Sequence, residues 1–259
     1  MIILGATGML GRQLVKLFPG WEKYSSKEFD FSKVDNIYRF ANSLDPNDVV
    51  INACGLLRQH LSDDPTPEEY QRAFNLNCFL PQVLSWRCRL LHISTDCAME
   101  GTKGNYTEND LPDGKDLYAR SKSLGEAPSR AMVIRTSIIG KEDKNFKGLM
   151  AWFLSQTKAN GFTNHMWNGM TTNELARCIR MIVDNDWWEP GLFHLYSNTV
   201  SKYDLLSMIN LYRKNPATIT PIKADKVVDR TLRTIHPEFM NRFCIRTLSD
   251  QIKEAMINE

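Results

Sequence analysis

Apolar positions along this chain alternate between short, nearly continuous runs and longer stretches with helical spacing. The run Met1 to Leu4 ends in Gly5-Ala6-Thr7-Gly8-Met9-Leu10-Gly11. Beyond it Leu10, Leu14, Leu17 and Phe18 recur at helical spacing until Pro19-Gly20 stops the pattern. This predicts strand, glycine turn, helix. A weaker strand follows near Trp21 to Tyr24. Next comes a helix from about Ser32 to Leu44, with Val34, Ile37, Phe40, Ala41 and Leu44 on one side. Asp48 to Asn52 reads as a buried strand, and Pro67 to Trp86 as mostly helical. Leu90 to Ile93 is a further apolar strand, running into Ser94-Thr95-Asp96. Tyr118 to Glu126 reads as helix and Ala131 to Arg135 as a fifth strand. Strands and helices in this alternation imply an α/β fold with a parallel sheet covered on both faces.

The rhythm changes after Gly140. Gly148 to Lys158 predicts a helix, Asn160 to Gly169 an irregular Gly- and Asn-rich stretch, and about Thr172 to Val183 another helix. Leu192 to Tyr196 resembles one more strand. Ser201 is placed to cap a helix through Tyr212, and Ser249 to cap a last one reaching Ile257. Pro216 to Pro237 is strand or loop of mixed charge. The expected organisation is a larger domain of residues 1–140 plus about 165–196. A small C-terminal lobe, about 141–164 plus 197–259, is interleaved with it.

Composition narrows the function classes. The 259 residues carry 32 Lys and Arg against 30 Asp and Glu, a net charge of +2, which leaves no basic footprint for nucleic acid. No apolar run approaches the ~20 residues that span a bilayer, and no secretory signal is visible. A cytoplasmic protein, monomeric or homodimeric, is expected. The six cysteines form no C-x-x-C pair and the five histidines no i, i+4 pair, so no metal site is expected.

Three groups of residues suggest chemistry. A small-residue turn between strand and helix lets a diphosphate approach the backbone, where the helix N-terminus favours its charge. The spacing here is G-x-x-G-x-x-G, and such turns also occur without a ligand. Tyr118 and Lys122, four apart on a predicted helix, project from one face. An ammonium beside a phenol favours the phenolate and would draw the Tyr pKa down towards working pH. That would make Tyr118 a proton donor to a carbonyl oxygen as hydride reaches its carbon. Ser94-Thr95-Asp96 closes a strand at the carboxyl edge where open α/β sheets collect ligands, although a strand-end hydroxyl often only satisfies a turn.

Taken in order, Gly5 to Gly11, Asn52-Ala53-Cys54-Gly55, Ser94-Thr95-Asp96 and Tyr118…Lys122 resemble the extended short-chain dehydrogenase/reductases. Finer matches point to their dTDP-4-dehydrorhamnose reductase branch. They include Glu28-Phe29-Asp30, Asn77-Cys78-Phe79-Leu80-Pro81, His92-Ile93-Ser94-Thr95-Asp96, Gly101…Tyr106-Thr107-Glu108, Ile134-Arg135-Thr136, Asn145-Phe146 and Gly191-Leu192-Phe193-His194. The resemblance implies a Rossmann-type doubly wound sheet, an NADPH or NADH cofactor and a sugar-nucleotide substrate, with cell-surface polysaccharide supply as the setting. It implies a catalytic Thr95, Tyr118 and Lys122, with Lys122 also on the nicotinamide ribose. Gly5, Thr7, Gly8, Met9, Leu10 and Gly11 would meet the diphosphate. Asp30 would lie near the adenine, Ala53 and Gly55 along the nicotinamide side, and Asn77 would support the site. Asp96, Cys97, Ser137, Thr171 and Arg230 would face the substrate.

Departures from the branch pattern also carry information. Cys97 stands where a Tyr is usual and Ile138 where a Trp is usual, so two aromatics of the sugar pocket are replaced. Asn168-Gly169-Met170-Thr171-Thr172 only loosely matches the usual Gly-Ser-Pro-Thr run. The Glu that related dehydratases carry after Thr-Asp is Cys97 here, which disfavours elimination. No acid closes the second strand before Glu28, and Arg12 follows the glycine turn, which together favour NADPH. The reading is a 4-keto-deoxysugar nucleotide reductase with Tyr118 as proton donor. A non-catalytic NADP-binding regulatory subunit and an epimerase are the alternatives. His92, within an apolar strand, reads as a satisfied core histidine.

Overall fold

The structure, a computed structural model, describes residues 1–126, 130–141 and 148–257. Asn145-Phe146 lies outside the described residues. Period-two alternation explains the central sheet. β1 (Ile2–Leu4), β3 (Val49–Asn52), β4 (Arg89–Ile93) and β5 (Met132–Arg135) point apolar side chains to both faces. With β2 (Glu22–Tyr24) and β10 (Gly191–His194) they form a six-stranded parallel sheet of order β10-β5-β4-β3-β1-β2. Ile3, Ile51, Leu91 and Met132 meet α1 (Met9–Leu17) and α7 (Thr172–Asp184) on one face. Ile2, Leu4, Val50, Leu90 and Val133 meet α2 (Val34–Asn42) and α4 (Leu80–Ser85) on the other. The chain leaves β1 in opposite directions towards β2 and β3. The crevice for a ligand therefore opens at the carboxyl ends of β1 and β3.

The turn after β1 is built from close backbone approaches. Gly5 has φ +76°, and the Gly5 and Ala6 N–H groups donate to the Tyr24 carbonyl at the end of β2. A Cβ on Gly11 would stand 2.0 Å from the Gly5 carbonyl oxygen. Only glycine lets α1 start so near the strand. α3 (Pro67–Phe74), opened by a Thr66–Glu69 capping box, continues through a π-helical turn (Asn75–Phe79) into α4, as the uninterrupted helical pattern predicts. α5 (Leu117–Leu124) is capped by Asp116 and carries the Tyr-Lys pair.

Several later elements differ from the local pattern. α6 (Leu149–Ser155) stops before Lys158, and the Gly- and Asn-rich stretch forms β7 (Lys158–Phe162) and β8 (His165–Trp167). β7 pairs with β12 (Thr218–Ile222), whereas β8 pairs with β11 (Val200–Ser201) and β13 (Val228–Asp229), outside the six-stranded sheet. β6 (Ile138–Ile139) pairs with β9 (Met170–Thr171). These pairings are long-range, and composition alone does not reveal them. α8 (Lys202–Asn210) has the expected Ser201 cap, completed by Asp204. α9 (Pro237–Met240) is a single turn. α10 (Leu248–Ile257) starts earlier than expected, and the cap is Thr247 rather than Ser249: Thr247 Oγ1 accepts from the Asp250 N–H. Met150, Phe153, Leu205, Ile209, Leu248 and Ile252 from α6, α8 and α10 share a separate core with Trp167 and Val200.

Candidate active site

A cavity of about 390 Å³ lies along the carboxyl edge of the sheet. Gly8, Met9 and Leu10 border it from the start of α1, Ala53, Cys54 and Gly55 from the loop after β3, and Ser94 to Cys97 from the loop after β4. Tyr118 and Lys122 reach it from α5, and Ser137 and Ile138 follow β5. The three residues read as catalytic, Thr95, Tyr118 and Lys122, thus line one space although 27 positions of the sequence separate the first from the last.

Other predicted residues support the wall from behind. Asn77 Oδ1 accepts from the Leu56 N–H at 2.8 Å, and its Nδ2 donates to the Leu56 carbonyl and to Ser121 Oγ, each at 3.0 Å. The loop after β3 is thereby tied to α5. Gly5 and Gly11 shape the turn. Thr7 is exposed, and Asp30 uses its carboxylate on the N–H and hydroxyl of Ser32. Thr171, read as substrate-facing, does not line the cavity: it is fully buried and caps α7 through Oγ1 and the Glu174 N–H. Arg230 donates from Nε to the Met99 carbonyl at 2.9 Å, and its charge acts on Asp96 and Cys97.

The electrostatics alter one expectation. Burial raises the Tyr118 phenol above its ordinary value. The Thr95 hydroxyl opposes this, and the charges of Asp96 and Asp116 add to it. Lys122 does not pull the phenol down, because its ammonium nitrogen is turned to the Ile93 carbonyl at 2.6 Å, with His92 Nε2 at 3.4 Å. Burial brings Lys122 itself down to about 8, against the charges of Glu126 and Cys54. The phenol holds its proton more firmly than the sequence pairing implies. Cys97 is driven up to about 12 by burial, and burial also raises Asp96 against the charges of Arg230 and Lys202.

Trp167 and Lys202 are among the cavity residues that escape sequence reading. Trp167 lies in the stretch read as irregular, and its Nε1 donates to Ser137 Oγ at 2.8 Å. Lys202, the first residue of α8, extends over the Trp167 ring at 5.0 Å from the centroid. A cation in the first turn of a helix opposes the helix dipole, and that local inconsistency was a readable signal. Beneath the cavity Glu126 and Arg135 form a buried ion pair at 2.5 Å, and Ser94 Oγ donates to Glu126 at 2.6 Å. Among the described residues no helix is long and apolar enough to cross a membrane.

The family model for the RmlD substrate binding domain matches residues 1–252. The chain belongs to that family. Within the family's wider circle, it is 28% identical over 227 residues to a dTDP-4-dehydrorhamnose reductase of Aggregatibacter actinomycetemcomitans, covering 79% of this chain and 76% of the relative. Over 237 residues it is 24% identical to methionine adenosyltransferase 2 subunit beta of Danio rerio, covering 81% and 72%. The dTDP-4-dehydrorhamnose reductase of Bacillus anthracis, solved in complex with NADP, shares the fold with a TM-score of 0.80 and 18% identity, covering 100% of this chain and 98% of that one.

Proposed function

We propose that the chain is an NADP-dependent reductase of a 4-keto-deoxysugar nucleotide, with Tyr118 as the proton donor. The observation that carries the reading is the meeting of Thr95, Tyr118 and Lys122 with the Gly8–Leu10 turn in one cavity at the sheet's carboxyl edge. In this reading residues 1–140 and about 165–196 hold the cofactor, except that β8 with Trp167 packs with the other part, about 141–164 and 197–259, on the sugar side.

The turn suits a dinucleotide. α1 has no side-chain cap and no acid in its first turn, so its leading N–H groups remain for a diphosphate. The Glu28 carboxylate, the first acid after β2, is held by the N–H and hydroxyl of Ser25, which supports NADPH over NADH. A bound NADPH supplies hydride, two electrons and a hydrogen nucleus, to the keto carbon. The chain's residues then manage the oxygen. Thr95 and Tyr118 offer hydroxyl donors where the negative charge develops, and Tyr118 passes its proton to that oxygen, leaving a phenolate. Lys122 would hold the ribose hydroxyls.

The test is a substrate panel. The protein is incubated with NADPH and 4-keto-6-deoxy sugars on dTDP, UDP and GDP, and loss of reduced-nicotinamide absorbance is followed. Oxidation that depends on one keto-sugar supports the reading. Tight NADPH binding without oxidation across the panel would replace it with a cofactor-binding regulatory role.

A further inference from the structure

His92 is wholly buried beneath the cavity, and the steps above leave it unused. It sits opposite Asn52 in the register of β4 and β3, on the sheet face that α5 covers, between Asn52 and Lys122. Its hydrogen position follows from its neighbours. The Cys54 N–H donates to Asn52 Oδ1 at 3.0 Å, which sets the orientation of the amide. Asn52 Nδ2 therefore donates to His92 Nδ1 at 3.1 Å. A neutral imidazole carries one N–H, so with Nδ1 accepting, the hydrogen is on Nε2 and points at Lys122 Nζ, 3.4 Å away.

An ammonium at that place would set N–H against N–H. An amine instead presents its lone pair to His92 and keeps a hydrogen for the Ile93 carbonyl at 2.6 Å. We propose that His92 is a positioning residue: locked by Asn52 in the Nε2–H tautomer, it points an N–H at Lys122 and so favours the free amine of that side chain over its ammonium. Burial keeps the imidazole itself neutral, well below its ordinary value. The other titratable groups facing Lys122 leave this balance intact. Glu126 from the end of α5 is engaged by Arg135 and Ser94, and Cys54 from the loop after β3 is kept as a thiol by burial, at about 12. Tyr118, one turn earlier on α5, is kept as a phenol by burial.

The purpose of the device rests on the reductase reading. Above about pH 8 the lysine is neutral and does not draw the proton off Tyr118, so the phenol keeps its proton for reduction, the direction that consumes it. The amine also keeps a second hydrogen to offer a hydroxyl group.

Two measurements test the proposal on the intact, cofactor-free protein. Nitrogen NMR of isotope-labelled histidine reads the His92 tautomer at neutral pH. The Nε2–H form is expected, and the Nδ1–H form would overturn the proposal without any substitution being made. Carbon NMR of labelled lysine, assigned by the signal lost in Lys122→Arg, reads the Lys122 titration. A midpoint near 8 is expected, and one at the ordinary ~10.4 would overturn it. His92→Met, whose thioether offers lone pairs and no N–H, should raise that midpoint by about one unit, tenfold in the deprotonation constant. His92→Gln, which restores an N–H toward the lysine, should return it. An unchanged midpoint in His92→Met, or equal shifts in both variants, would overturn the donor role. None of these readouts uses substrate, so a failed reductase assay leaves them standing, and a wrong tautomer leaves the reductase assay standing.

Discussion

Replacing Tyr118 by Phe removes one oxygen from a side chain packed among Leu56, Leu61, Ala73 and Leu117. The fold should lose little. Thr95 Oγ1 keeps its contact with Asp96 and still accepts from the Cys97 N–H at 3.2 Å, so the cost in stability should be about 1 kcal/mol or less. The chemistry should lose far more. A positioned general acid is worth roughly 10²–10⁴ in rate, equivalent to about 3–5 kcal/mol of barrier. Thr95 remains as a donor to the developing oxyanion, which places the expected loss near a thousandfold rather than at the upper end. Because the proton moves only in the transition state, kcat and kcat/KM should fall together. The assay follows NADPH oxidation with the preferred keto-sugar nucleotide, and NADPH affinity is read separately by cofactor fluorescence and should change little. The wild-type pH profile adds a second check. A raised phenol stays protonated through the ordinary tyrosine value of ~10, so no loss of kcat from phenol ionisation should appear up to that pH. A Tyr118→Phe protein that reduces substrate within about tenfold of wild type, or a wild-type kcat that falls with phenol ionisation on approaching that pH, would refute the assignment of Tyr118 as donor.

Other perturbations test the scaffold. Gly11→Ala drives a methyl to 2.0 Å from the Gly5 carbonyl oxygen, backbone against backbone. It should cost roughly 1–3 kcal/mol in urea unfolding and weaken NADPH binding more than substrate-independent stability alone accounts for. Arg135→Met leaves the Glu126 carboxylate buried without its partner, and a loss of about 3–5 kcal/mol is expected; adding Glu126→Gln should recover most of it, and a double variant no better than the single would reject the ion-pair explanation. Lys122→Met should stabilise the cofactor-free protein at neutral pH. The unfolded chain keeps that lysine's proton up to ~10.4, while the fold releases it at about 8. Between those values the unfolded state binds the extra proton, so stability rises with pH through this window and the full penalty stands below it. That penalty is about 3 kcal/mol, and losing the bond to the Ile93 carbonyl offsets about 1 kcal/mol of the gain. Urea titrations should show Met ahead at neutral pH and the advantage fading in the alkaline range; a constant difference at all pH values would refute it.

Much of the sheet was legible because its central strands bury both faces. Asp48 to Asn52 read as a buried strand and Leu90 to Ile93 as an apolar one, and the helices between them kept a clear periodic stripe. The site was legible where short motifs sit at element ends: Thr95 after β4, Tyr118 and Lys122 on α5, Gly8 at the start of α1. What stayed hidden depends on partners distant in sequence. β7 is a strand because β12 lies beside it, more than fifty positions later, and Thr171 is a cap because the chain turns into α7 there. The effect of Lys122 on the Tyr118 phenol was misjudged for the same reason. Spacing on α5 shows that it is near Tyr118, but only the fold shows that Ile93 and His92 occupy its nitrogen.

The side of the cavity proposed for the sugar shows how a departure from a family pattern can be rebuilt from elsewhere. Cys97 and Ile138 leave room where larger rings are usual. Ile138 follows Ser137, and Ser137 Oγ accepts from the Trp167 indole at 2.8 Å, so a ring enters from β8 beside the position where one is missing from the loop after β5. Its face is covered by the Lys202 ammonium from α8. The ring is therefore held in one orientation: one edge is hydrogen-bonded, one face carries a cation, and it packs in the core that α6, α8 and α10 share. This moves aromatic contact from the strand-end loops, which also carry the hydroxyl proposed as catalytic, to the part of the chain that arrives after Gly140. In the proposed reaction substrate choice and proton transfer would then be carried by different elements, so substitutions at Trp167 or Lys202 should alter KM among keto-sugar nucleotides while the Tyr118-dependent step keeps its rate. A matching collapse of kcat in Trp167→Leu, with the fold intact, would show that the ring belongs to the chemistry instead.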